Sequence, residues 1–431
     1  MHKWNLNRRI LRLAVPNIIS NISIPLLSAV DVALMGNISI VHLGAIGLGT
    51  LIFNFFFWNF GFLRMGVTGL VAQSEGKGNT SLVNEILSKG IYFSLIIAMF
   101  ILLSQILIWR TSVHFLNLSG THETLVWDYF SIRIWAAPAS FMTYVFFGYL
   151  FGRQDAVSPM FTTVFINVLN ILLSYYLVVI ADYGIIGTAL GTLIAEYSGL
   201  VVLVLIVFGR KGASLILPHQ ISRWWEFLQM NQFLFLRTVA LTAAFAFFYR
   251  ESSSSGELIL AINVVLLQFL SWLSYGIDGF AFASESLVGF YFGAKMKSEL
   301  RKIIQLSFKW GLLFAAFFAI IYFFYSGDIA SIFSESNQVV TSLIEYRYWL
   351  LVLPFVSFVC YIWDGVFIGL GRFREMMITM FIGLSLYIVL YYGLGHTVEN
   401  AIWISFVAFL SVRGILLSMY WLRMKHQIFS S

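Results

Sequence analysis

The stretch "SAVDVALMG" (Ser28–Gly36) places a single carboxylate, Asp31, near the end of the first long apolar run. Two further apolar runs carry polar side chains at helical spacing: Asn167, Asn170 and Ser174 in one, Thr188 and Thr192 in the next. Asn170 and Ser174 are four residues apart and share a helix face, as do Thr188 and Thr192. An acid in apolar surroundings is costly in its charged form, so it usually faces a cavity or a partner. A carboxylate that takes up and releases a proton near neutral pH can couple the movement of another solute to a proton gradient. A sodium ion could occupy the same place if neutral oxygens completed its shell. The plainer alternative gives Asp31 a structural ion pair or an interhelical hydrogen bond. It gives each Ser or Thr a bond to its own i−4 carbonyl.

A second set of ionisable residues lies in the C-terminal half. Asp278 and Glu285 are seven apart on one helix face, and Asp364 sits in "WDGVFIGLGR" with Arg372 just beyond it. These four are expected to form an inner-side polar network, structural or gating. Arg64, Arg133, Glu196, Arg237 and Arg413 complete the intramembrane candidates. Pro25 lies six residues before Asp31, frees a backbone carbonyl and permits a kink. A bend there could open or close a pocket as Asp31 titrates; a static kink is an equal reading. In "GTALGTLIAEYSG", Gly187, Gly191 and Ala195 recur every four residues, which reads as close helix packing.

The elements that hold these residues follow from composition. Of 431 residues, 60% are hydrophobic and only 11% charged, with mean hydropathy +0.87. Soluble domains carry about 25% charged residues, so the solvent here is lipid. About twelve segments are long enough to cross a bilayer. They are 11–36, 45–73, 86–109, 127–151, 158–181, 184–208, 230–250, 257–291, 303–325, 344–370, 376–395 and 399–422. All must be helices, because an open sheet edge cannot be satisfied in lipid. The expected class is therefore an all-α polytopic membrane protein. The basic first segment, which includes Lys3, reads as leading into a retained span.

Lys and Arg crowd one set of short loops, including Lys77, Arg153, Arg210, Lys295 and Arg372. Positive-inside bias then sets both termini in the cytoplasm, in an inner (plasma) membrane. On that orientation Asp31 lies about five residues, or roughly 7 Å, below the outer surface. Asn170, Ser174, Thr188 and Thr192 share the outer half with it.

The longest charged break, Gly209 to Phe227, divides the chain. The expected domains are an N-terminal six-helix lobe (1–208), a cytoplasmic linker with an interfacial helix at Trp224 and Trp225 (209–229), and a C-terminal six-helix lobe (230–431). The halves repeat: "LRMGVTGLVAQSEGKGN" from Leu63 aligns with "FAFASESLVGFYFGAKM" from Phe280 at a shift of 217. The same shift pairs Gly148 with Gly365 and Gly152 with Gly369. Six spans per half make a parallel repeat, related by a pseudo-two-fold along the membrane normal.

Several classes fall away. The charge of +6 is spread over short loops and forms no stripe, so nucleic acid is not a partner. A single cysteine, Cys360, excludes a disulfide framework. The histidines fall outside or at the ends of the spans, with no HExxH. A membrane enzyme would need a His, Asp or Cys cluster at one face, and the sequence offers none. No cofactor is expected beyond H+ or Na+ as coupling ion, and no metal beyond sodium at Asp31, Asn170 and Thr192. The partners are the bilayer and a small organic substrate, and the chain is expected to be a monomer.

Four stretches together resemble one family: "LAVPNIISNISIPLLSAVDVALMG", "LRMGVTGLVAQ", "SYGIDGFAFASESLVG" and "DGVFIGLGR". They are similar to the multidrug and toxic compound extrusion (MATE) family, most of all its DinF-like branch. "LFLRTVAL" with "AINVVLLQF" strengthens that branch. The resemblance covers nearly the whole chain. It implies a cation-coupled antiporter of two six-helix lobes in an inverted V, working by alternating access, with the first-span acid at Asp31. Its fifth span implies Asn167 and Asn170 followed by a second carboxylate, where this chain has Ser174. One acid in place of two favours a proton over sodium. The wider superfamily includes lipid-linked precursor flippases, an alternative that Arg64, Arg133, Arg237 and Arg413 keep open.

Overall fold

The structure, a computed structural model, describes residues 5–217, 222–333, 337–395 and 400–430. Lys3, His2, His219, His396 and the centre of the linker lie outside the described residues. Among those described there are helices and no strand. Twelve helical segments are long and apolar enough to cross a membrane, the number read from composition.

Helices α1 (Leu6–Gly36), α2 (Ile40–Asn59), α3 (Phe62–Gly76), α4 (Thr80–Leu103), α5 (Gln105–Leu116), α6 (Gly120–Arg133), α7 (Ala137–Gly152), α8 (Val157–Tyr175) and α9 (Gly184–Val204) form the first half. The second half comprises α10 (Trp224–Ser254), α11 (Glu257–Gly293), α12 (Lys297–Phe333), α13 (Asn337–Glu345), α14 (Arg347–Leu370), α15 (Phe373–Leu394) and α16 (Ala401–Ser430). Helix α1 runs unbroken through Pro16 and Pro25. A 3-10 turn, Ile134–Ala136, joins α6 to α7. A π-helical turn, Tyr176–Ile180, ends α8. No separate interfacial helix stands in the described part of the linker. Trp224 and Trp225 instead form the first turn of α10, because extending an existing helix is far cheaper than nucleating another.

The chain divides into two compact units, residues 19–228 and residues 1–18 with 229–431. Within the second, the start of α1 packs on α11 and α12. Arg9 bonds the Tyr291 hydroxyl, Asn7 accepts from the Trp310 indole at 3.1 Å, and Gly279 faces the Ala14 carbonyl and Ile18.

The 217-residue shift has a physical counterpart in each unit. A Cβ added to Gly148 on α7 would lie 2.6 Å from the carbonyl oxygen of Arg64 on α3, and one on Gly152 would meet Val71 and the Thr68 carbonyl. In the other unit a Cβ on Gly365 of α14 would run into the Ala281 carbonyl of α11, and one on Gly369 would lie 2.7 Å from that of Glu285. Arg64, Thr68, Val71, Gly148 and Gly152 shifted by 217 are Ala281, Glu285, Val288, Gly365 and Gly369. Both units thus contain one helix crossing in which glycine lets backbones touch. The offset extends to the ends: the start of α9 at Gly184 lands on that of α16 at Ala401.

Candidate polar site

Close approach of α8 and α9 builds the first part of the site. A Cβ on Gly191 would lie 2.6 Å from the Ser174 hydroxyl, and one on Gly187 would press on the Leu177 and Val178 backbone. The small residues therefore serve packing and, by doing so, bring polar side chains of two helices together. The Asn170 amide donates to the Thr192 hydroxyl at 2.9 Å. The Ser174 hydroxyl donates to the Asn170 carbonyl at 3.3 Å, and Thr192 donates to the Thr188 carbonyl at 2.9 Å. Asn170, Ser174 and Thr188 are wholly buried. The Thr188 hydroxyl points to the Met35 sulfur, 3.9 Å away on α1. Asn167 donates to Ser23 of α1 at 2.8 Å.

Asp31 stands apart from this chain of bonds. Its Oδ1 is buried and has no hydrogen-bond partner among the described residues. Of the sequence-selected set, Asn170, Ser174, Thr188 and Thr192 come together, Asn167 is tied to α1 through Ser23, and Asp31 bonds none of them. Pro25 is half-buried in the same helix.

An ion cluster that sequence spacing did not pair completes this unit. Arg133, at the end of α6, donates to Glu196 of α9 at 2.7 Å. Ser140 bonds the other carboxylate oxygen of Glu196. The guanidinium lies 5.4 Å from the ring centres of both Phe53 and Phe57, a cation–π arrangement. Its Nη1 is buried without a hydrogen-bond partner among the described residues. The pairing was readable in principle. Arg133 lies thirteen residues into α6 and Glu196 twelve into α9. Setting the start of that span at 127 rather than 120 hid the match.

In the second expected network Asp364 and Arg372 do not meet. Asp364 bonds Arg237 of α10 and Arg413 of α16 at 2.8 Å, not Arg372. Arg372 is exposed and pairs with Glu375 at 3.6 Å, three residues along, because α14 ends at Leu370 and a left-handed Gly371 turns the chain away. Glu285 is wholly buried against Gly369, whereas Asp278 is half-buried. Of the four arginines, Arg64 lies over Phe151, Arg133 is with Glu196, and Arg237 and Arg413 share Asp364.

Around the turn between α7 and α8 lies a separate, half-buried set of charges. Lys211 pairs with Asp155 at 2.6 Å and Arg153 with Glu75 at 2.5 Å. Burial pushes the Asp155 carboxyl up, but the Lys211 ammonium and the Ser158 backbone and hydroxyl bonds outweigh it and hold the group below the usual carboxylate range.

Comparison with known proteins agrees with this architecture. The MatE family model matches residues 16–176 and 235–393. The "DNA damage-inducible protein F" of Escherichia coli K12 is 32% identical over 95% of this chain and 91% of its own length. A "Probable multidrug resistance protein NorM" of Thermotoga maritima is 25% identical over 78% of this chain and 74% of its own. A crystal structure of MATE in the bent conformation has a TM-score of 0.91 at 18% identity, covering 99% of this chain and 97% of that one.

Proposed function

The chain belongs to the MatE family of multidrug efflux transporters, multi-pass membrane proteins that handle small organic substrates and are not enzymes, and from that premise we propose that it is a proton-coupled antiporter. It exports hydrophobic or cationic organic compounds across the inner membrane by alternating access, as a monomer with both termini in the cytoplasm. The observation that carries this reading is the buried, unpartnered Oδ1 of Asp31. A structural acid would be bonded, since a buried charge without a partner is expensive. A group that must gain and lose a proton gains nothing from a permanent partner.

Sodium is the weaker alternative. The oxygens that would complete its shell, those of Asn170, Ser174 and Thr192, are engaged with one another. Uptake of a proton from outside neutralises Asp31 and weakens its hold on a cationic solute, which is released outward. Each charge moving inward down the membrane potential gains about 2.3 kcal/mol per 100 mV.

The test is efflux by the reconstituted protein in vesicles under imposed proton or sodium gradients, one at a time. Wild type should respond to the proton gradient, and Asp31→Asn should lose that response while still inserting. Normal proton-driven efflux by Asp31→Asn would overturn the mechanism. A response to sodium alone would replace the coupling ion.

A further inference from the structure

The Asp364 cluster does not balance its charge. One carboxylate oxygen, Oδ2, receives both Arg237 and Arg413. Two guanidiniums and one carboxylate leave a net positive charge in a place where Arg413 is 1% exposed, Arg237 5% and Asp364 8%. Taking a net charge out of water costs several kcal/mol unless it is compensated. On α14, Cys360 lies close to both arginines, its sulfur 3.1 Å from the Ser357 carbonyl as a thiol donor. It supplies no negative charge.

Donors remain to receive an anion. Arg237 Nε and Arg413 Nη1 are buried and have no partner among the described residues. Because both guanidiniums reach one oxygen atom, they lie side by side. The Phe409 ring covers one face of Arg413, 5.3 Å from its centre. Gly383 of α15 makes room for its stem, since a Cβ there would lie 3.1 Å from Arg413 Cγ. The guanidinium is thus held by the ring on one face and by Asp364 at Nη2, with Nη1 left over. Planar paired guanidiniums suit an oxyanion better than any other ligand.

We propose that Arg237 and Arg413 bind a singly charged oxyanion, the carboxylate or phosphate monoanion of a small molecule or lipid, alongside Asp364. The site would neutralise the cluster and would give the C-terminal unit a ligand chemistry opposite to that of Asp31. It does not depend on the coupling role of Asp31.

The experiment is thermal unfolding of the purified full chain in detergent at constant ionic strength. Chloride is replaced stepwise by formate in one arm and by inorganic phosphate near pH 6 in a second. In a third arm phosphatidylglycerol is added to the micelles. The expected result is a saturable rise of the midpoint, of the order of 5 °C, in at least one arm. A response to formate or phosphate identifies a soluble ligand, and one confined to phosphatidylglycerol identifies a lipid. Arg413→Gln should abolish the rise, and Arg372→Gln, whose pair with Glu375 lies elsewhere, should retain it. Asp364→Asn removes the competing carboxylate, so its midpoint should fall in chloride and be restored more strongly by the anion than in wild type. That variant keeps the test decisive if Arg413→Gln does not fold. A midpoint independent of the anion in both wild type and Asp364→Asn would overturn the proposal, as would an equal rise in wild type and Arg413→Gln.

Discussion

The last helix pair of each unit occupies the same place in the repeat and holds opposite contents. Shifted by 217, Asp31, Asn170, Ser174 and Thr192 become Phe248, Tyr387, Tyr391 and Phe409. In place of a hydrogen-bond chain, α10, α15 and α16 build an aromatic cluster. Phe248 lies 5.0 Å from Trp403 and 5.3 Å from Phe406, and Tyr387 5.8 Å from Phe406. A neighbouring position differs in sign. Glu196, which holds Arg133, becomes Arg413, which is held by Asp364. Meanwhile the glycine crossings are retained in both units. The scaffold is duplicated and the chemistry is not, so transport asymmetry is written in side chains on a common frame.

That contrast can be attacked at several points. The largest effect is functional: Asp31→Asn should abolish proton-driven efflux, whereas Phe248→Leu, its counterpart, should leave coupling intact and cost about 1–2 kcal/mol in unfolding. Next, the crossings should prove equally intolerant. Gly148→Ala and Gly365→Ala each force a methyl group onto a carbonyl oxygen, and each should destabilise by about 3 kcal/mol, read as a fall in melting temperature. Unequal losses would show that one crossing relaxes. Polar and aromatic pockets should then diverge. Asn170→Leu strands the Ser174 hydroxyl and takes from Thr192 the bond it accepts, and should cost about 1–2 kcal/mol. The Tyr387 hydroxyl is buried without a partner among the described residues, so Tyr387→Phe should be neutral or slightly stabilising.

The smallest effect concerns the loop charges. The Asp155 carboxyl is depressed in the folded chain, so its contribution is present above the ordinary carboxylate range and lost as pH falls through the depressed value. Asp155→Asn should therefore lower the melting temperature slightly near neutral pH, by the equivalent of about 0.5 kcal/mol. The difference should vanish in strong acid.

What could be read from the chain alone divides along physical lines. Lipid as solvent leaves one secondary structure, so the number of spans followed from apolar run length. A single offset serving separated glycines marked the repeat; the structure puts those glycines at helix crossings, where contact constrains the backbone and survives divergence of neighbouring side chains. Depth grouped Asn170, Ser174, Thr188 and Thr192, since a short loop joins α8 to α9. The partners of Asp364 were not readable. Asp364 was grouped with Arg372 by nearness in sequence, but the helix ends between them, and its partners come from α10 and α16. Trp224 and Trp225 suggested a separate element because composition marks an interface without saying where a helix starts.

The division of α1 bears on the order in which this protein is made. Residues 6–18 count with the C-terminal unit, and their partners Tyr291 and Trp310 lie 282 and 303 residues further along. A chain emerging from the ribosome closes the crossing of Gly148 on Arg64 long before Trp310 has been synthesised. Residues 6–18 are therefore synthesised long before the partners that clamp them. Until then the leading turns of α1 lack their native neighbours, and a chain truncated before α11 would leave them so.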